Sequence, residues 1–226
     1  DLSYLVHNYF PPAEEDLVVN IASLDDKTRE SSIEYIRRCI DFSSQIGAQL
    51  HTFHPGFLSD PLGKSENSSN YDFRFEEFSS EGRKYEDAFT QMLESVTTIA
   101  EYARRKGVDI AIETEGSVDK WDHLLMQRID EFDEFFRHFP SGTVGVNLNI
   151  GHLSLAANVF GFSWEEFVDA VADRVVAMEL SHNQGQKDDH KPLIAGMWYW
   201  DIIRDCRFVN TYKILEFRNT AIEEIV

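Results

Sequence analysis

Histidine, glutamate, aspartate and amide side chains recur at one kind of position in this 226-residue chain: the end of a short run in which apolar and small or polar residues alternate. His7, His54, Glu113, Asn149 followed by His152, Glu179 and Glu216 occupy such ends, and the segment after Glu179 adds Asp188 and His190. Imidazole and carboxylate donors without cysteine suit a divalent metal, Zn, Mn, Co or Mg, and acids with an amide lean toward the harder ions. Such an ion can take two oxygens of a hydroxy-carbonyl substrate while a glutamate moves a proton, which is isomerisation or epimerisation of a sugar. The same ion could instead activate water against a phosphoester.

The elements that must carry these groups follow from periodicity. Within 144–152, Val144, Val146, Leu148 and Ile150 alternate with Gly145, Asn147 and Asn149, the pattern of a strand with one apolar face and one small, polar face. Similar runs lie at 3–9, 48–54, 108–115, 175–181 and 213–217. On 48–54, Leu50, Thr52 and His54 share a face, so His54 is the site residue and His51 a structural one. On 108–115, Glu113 shares its face with Ala111 and Glu115; a buried carboxylate costs several kcal/mol unless paired or bound to metal.

Between these runs the chain reads as helix or loop. Asp25 or Asp26 can cap a helix to about residue 45, with Gly47 as its stop. Others are expected over 81–106, ending at Gly107, over 124–139, and from a capping box at Ser163 and Glu166 to just before Arg174. The polar segment 57–80 is long for a compact domain and carries Phe57, Tyr71, Phe73, Phe75 and Phe78, which could cover a substrate or form a surface insertion. Trp198, Tyr199 and Trp200 are expected to pack in the core.

Alternating strand and helix implies a parallel sheet, and a closed eightfold barrel gathers its site at the C-terminal ends of the strands. The expected fold is therefore α/β, a TIM (β/α)8-type barrel in one domain over 1–226, with about six βα units recognisable. A net charge of -19, from 21 basic and 40 acidic residues, disfavours nucleic acid as a partner. Cys39 and Cys206 lie far apart, which favours a reducing compartment. No run approaches the roughly 18 apolar residues of a membrane span. A cytoplasmic, soluble protein acting on a small sugar or sugar phosphate is expected; a homodimer is left open.

The motifs F-H-P-G at 53–56, A-I-E-T at 111–114, V-N-L-N-I-G-H at 146–152, E-L-S-H-N-Q-G at 179–185, D-D-H at 188–190 and K-I-L-E at 213–216 resemble the xylose isomerase-like barrel superfamily. V-H-N-Y-F-P-P at 6–12 and V-N-I-A-S at 19–23 are similar to the same family, which includes sugar phosphate isomerases and epimerases, sugar dehydratases and endonuclease IV. The resemblance implies one metal on His7, His54 and Glu113, a second on Glu113, Asn149, Glu179 and Glu216, and a third on His152, Asp188 and His190. It also implies proton carriers in Glu113 and Glu216. Asn149 stands where the family usually has Asp, Glu179 where it has His, and His182 where it has Asp; His182 becomes an additional acid or base. Asn183, Lys187 and Arg218 are candidates for holding substrate, with Lys191 beside them.

By the same resemblance the first strand corresponds to the third of the barrel, so two units, about 60 residues, are expected to precede this stretch. The resemblance implies a metal-dependent sugar or sugar phosphate isomerase or epimerase. The alternatives are an endonuclease IV-like metal-dependent phosphodiesterase and a non-catalytic sugar-binding barrel.

Overall fold

The computed structural model describes residues 3–13, 17–64, 73–75, 85–119, 124–218 and 220–221. In chain order it forms β1 (Val6–His7), α1 (Asp26–Gln45), β2 (Leu50–Phe53), the short strands β3 (Gly63–Lys64) and β4 (Phe73–Arg74), α2 (Tyr85–Lys106), β5 (Asp109–Glu113), α3 (Ile129–His138), β6 (Gly145–Asn149), α4 (Ile150–Phe160), α5 (Trp164–Val171), β7 (Val175–Leu180), α6 (Tyr199–Arg204) and β8 (Tyr212–Leu215). Local chemistry sets the boundaries. The Asp25 carboxylate accepts from Thr28 N–H to cap α1, and Gly47 follows its end at φ 73°, where a side chain would strain the backbone. Arg104, Arg105 and Lys106 close α2, placing cations at the negative end of its dipole.

Six strands form a parallel sheet in the order β1-β2-β5-β6-β7-β8, while β3 and β4 pair antiparallel apart from it. Adjacent strands lie about 4.8 Å apart, so β1 and β7, four steps away from each other, would be about 19 Å apart in a flat sheet. His7 Nδ1 of β1 nevertheless lies 3.6 Å from Glu179 Oε1 of β7. The sheet is therefore strongly curled, a partial barrel of six parallel strands.

The two faces of that sheet differ as the alternation requires. Phe53, Ile110, Ile112, Val146, Leu148, Met178 and Leu180 point outward into one large core shared with the helices. Leu50, Ala111 and Ala177, with Leu5 and Ile214 against them, form a small apolar floor inside the curl. One residue pair further along each strand, the same inner face carries the polar groups.

Two expected boundaries shift. Helix α3 begins at Ile129, not near residue 124, because Glu131 folds back to accept N–H groups from Met126, Gln127 and Arg128 at 2.7–2.9 Å. Met126 takes φ 61° in that turn. The strand expected through Ile150 stops at Asn149, whose side chain accepts from His152 N–H and caps α4. Of the three aromatics expected in the core, Tyr199 is buried, its hydroxyl accepting from Ile194 N–H, while Trp198 and Trp200 are only partly buried against it. In the 57–80 segment Phe57 is buried against Phe75; Tyr71 and Phe78 lie outside the described residues.

Candidate active site

The inner strand ends meet at the carboxyl-terminal mouth of the curl. Glu113, the last residue of β5, is fully buried there. Its Oε1 accepts from Asn149 Nδ2 at 2.9 Å and lies 3.3 Å from His152 Nδ1. Its Oε2 has no hydrogen-bond partner, but faces His7 Nε2 at 3.8 Å and His54 Nδ1 at 3.6 Å. His7 is braced by Thr52 Oγ1 at 2.8 Å, and His54 Nδ1 donates to Glu115 at 2.7 Å. The His7 side chain is 38% exposed, so this pocket of ligands opens to solvent.

A second group lies beside it. His190 Nε2 is 2.6 Å from Asp188 Oδ2, and His152 Nε2 is 3.5 Å from the same oxygen. His190 Nδ1 reaches Glu216 Oε2 at 3.2 Å, linking this group to the end of β8. Gly116 permits the arrangement: a Cβ there would stand 2.1 Å from the carbonyl oxygen of His152. A substitution at Gly116 would push α4 and its imidazole away from the β5 acids.

The structure thus brings His7, His54, Glu113, Asn149, His152, Glu179, Asp188, His190 and Glu216 into one connected cluster. The other expected residues lie elsewhere. His182 stacks edge-on to Tyr199, ring centroids 6.0 Å apart, because the alternation that turns Glu179 inward turns it outward. Asn183 donates to Gly151 O in α4 and accepts from Gly185 N–H, so its amide ties its own loop to the start of that helix. Lys187 and Lys191 flank Asp189 on the surface, and Arg218 is exposed.

A divalent ion can be tested against this donor set. His7, His54 and Glu113 offer ligand atoms that all lie within 4.8 Å of one another, and among the described residues this is the group of three that does so. Together with the partnerless Glu113 Oε2, that spacing fits an ion held by two imidazoles and one carboxylate.

A sequence profile for xylose isomerase-like TIM barrels matches residues 1–223. The chain belongs to that family. Among its relatives, an uncharacterised protein of Methanocaldococcus jannaschii is 22% identical over 226 residues, all of this chain and 74% of that protein. A D-tagatose 3-epimerase-like structure superposes at TM-score 0.73 with 17% identity, over 97% of this chain and 72% of the other. The 3-keto-D-glucoside 4-epimerase of E. coli superposes at 0.65 with 12% identity, over 91% and 70%. At these identities the structural likeness is one of fold. No helix among the described residues is long and apolar enough to cross a membrane.

Protonation in this family member's cluster is set by burial against charge. Burial and the neighbouring Glu179 push Glu113 above the usual carboxylate range. Burial would deprotonate His54, but Glu113 and Glu115 outweigh it and hold the imidazolium. Burial also opposes the charged form of His190, yet Asp188 and Glu216 raise it to about 9. Glu216 sits below its ordinary value, since His190 overcomes its burial. The pair Glu113 and Glu216 is therefore split, one carboxyl favouring its proton and the other its charge.

Sequence reasoning passed over two members of this network. Glu115 lies two residues beyond Glu113 on the same face, and Thr52 two residues before His54, so the alternation that found the ends contained both. Neither stands at a strand end, the position that marks the other members in the sequence.

Proposed function

We propose that the protein is a metal-dependent sugar or sugar phosphate isomerase or epimerase whose chemistry occurs at this mouth. The observation that carries the reading is the buried Glu113 Oε2, which lacks a hydrogen-bond partner and faces two imidazoles beside solvent. His7, His54 and Glu113 would hold the ion, His54 giving up the proton that Glu113 and Glu115 otherwise stabilise on it. When bound, it supplies polarisation of a carbonyl and hydroxyl on adjacent carbons.

Glu216, its side chain 33% exposed and kept ionised by His190, would accept a proton from a substrate carbon next to the carbonyl. The same carboxyl can return that proton to the neighbouring carbon, which isomerises. Return by a second acid on the opposite face epimerises. The apolar floor of Leu50, Ala111 and Ala177 limits how far water reaches beneath the acids. The sugar epimerases among the structural neighbours support the substrate class.

The test is exchange of substrate carbon-bound hydrogen with heavy water across a panel of ketoses, aldoses and their phosphates. Glu216→Gln should lose turnover by about 10²- to 10⁴-fold, the usual contribution of a general base, with its circular dichroism unchanged. Full activity in that variant would overturn the assignment. One observation favours a second reading: His152, Asp188 and His190 also come together, as a phosphodiesterase of the endonuclease IV type would need. Salt-sensitive cleavage of an abasic-site oligonucleotide would reverse the order, and the net charge of -19 weighs against it.

A further inference from the structure

Acids from three strands converge on Asn149. Its Nδ2 donates to Glu113 Oε1 at 2.9 Å, to Glu179 Oε2 at 3.1 Å and lies 3.3 Å from Glu216 Oε2. Buried carboxylates that converge normally need a cation between them, since their mutual repulsion is poorly screened away from water. Here the point of convergence is filled by an amide nitrogen.

The amide cannot be turned over without loss. Asn149 Oδ1 accepts from His152 N–H at 3.1 Å and caps α4. The reversed amide would set its NH2 against that helix N–H, donor against donor, and its oxygen against three carboxylates. Losing a cap of this kind destabilises the helix, and the repulsion would add to that loss. The backbone fixes the outer end as well, because Asn149 N–H donates to Thr114 Oγ1.

Counting acceptors gives the same answer. Glu179 has one oxygen on Asn147 Nδ2 at 2.8 Å and the other on Asn149. Glu113 gives Oε1 to Asn149 and leaves Oε2, its buried and partnerless atom, turned toward His7 and His54. We infer that Asn149 occupies the centre of the acid cluster as a hydrogen-bond donor, excludes a metal ion from it, and confines ion binding to the His7, His54 and Glu113 side of Glu113. The inference rests on reading this mouth as the working site.

Metal-stripped protein loaded with Zn2+ and dialysed gives the test by elemental analysis. Asn149→Asp keeps an oxygen to cap α4 but replaces the NH2 by a second ligand oxygen. It should bind one Zn2+ equivalent more than the wild type. A folded Asn149→Asp protein with no additional equivalent would overturn the inference. A wild type that binds none, beside a variant that binds one, would overturn the ion on the His7, His54 and Glu113 side together with the proposed function, and would support only the exclusion of an ion by Asn149.

Should the fourth acid prevent folding, the wild-type amide itself is the probe. Its side-chain NH2 resonances, assigned by their loss in Asn149→Ser, should stay slow to exchange when Zn2+ is saturating. Resonances that become exchange-labile on Zn2+ addition would mean that the oxygen has swung onto the ion, and would sink the idea.

Discussion

Two groups of imidazole and carboxylate share the mouth of this barrel, built from the same residue types but at different spacings. Around Glu113 Oε2, the His7 and His54 nitrogens stand 3.8 and 3.6 Å away. Around Asp188 Oδ2, the His190 nitrogen stands at 2.6 Å. An ion such as zinc lies about 2.0–2.2 Å from nitrogen and oxygen ligands, so two ligands of one ion are about 3–3.5 Å apart. The first group has nearly that spacing and one side toward solvent. The second has collapsed onto itself as a buried ion pair, with His152, Asp188 and His190 side chains only 2–4% exposed. Residue type nominates ligands; spacing decides between an ion and a salt bridge.

Removing the acid of the second group should have the largest effect. Asp188→Asn removes the carboxylate that the two buried imidazoles share, leaving His190 only Glu216 and His152 only the acids of β5, and breaking such a pair costs about 3–5 kcal/mol. The wild-type pair also has a pH signature. His190 has a folded value of about 9 against 6.5 in the unfolded chain, so its contribution is complete below pH 6.5 and disappears as the pH rises to about 9. Asp188 is lowered by burial-resistant contact with His152 and His190, so its contribution fades only in acid, below the ordinary carboxylate range. Urea denaturation from pH 6 to 9.5 should show falling stability in the wild type and a flatter curve in Asp188→Asn. Equal slopes in the two proteins would break the contrast.

That contrast was only half legible in the sequence. The alternation of Val146, Asn147, Leu148 and Asn149 states which face each side chain takes, so the ends of six strands could be nominated and the parallel α/β barrel inferred. Alternation contains no radius, however. Whether His7 reaches Glu179 across three intervening strands depends on how tightly the sheet curls, which the packing of the helices against Phe53, Ile112 and Leu148 sets. The amide of Asn149 shows the same limit: its residue type allows ligand or donor, and only the cap on α4 chooses. His182 was misplaced for a simpler reason, since it lies one residue off the inward register.

A smaller effect tests how His54 holds its proton. Glu113 and Glu115 together keep that imidazole charged against its burial, with Glu115 in direct hydrogen bond. Glu115→Gln keeps the shape and removes the charge, so the midpoint of His54 should fall by about one pH unit, worth ~1.4 kcal/mol. Titration of the ring resonances checks it, and His190, on the other side of the cluster, should titrate as before. A midpoint that moves for His190 and not for His54 would mean that the two groups share one proton network.

The smallest effect is expected at Thr52, which braces His7 through its hydroxyl. Thr52 is buried, and valine has nearly its shape, so Thr52→Val opens no cavity and removes only the oxygen. A hydrogen bond of this kind contributes about 1 kcal/mol, equivalent to roughly fivefold in Zn2+ affinity if His7 is a ligand. The loss should stay near that value because the His7 ring is partly exposed and water can replace the hydroxyl. In the second group no such replacement is available, which is why Asp188→Asn should cost several times more. Calorimetric Zn2+ titration and urea midpoints of the two variants side by side measure the ratio. If Thr52→Val proves as damaging as Asp188→Asn, the first group is as closed as the second, and an ion entering from solvent would have no route to Glu113 Oε2.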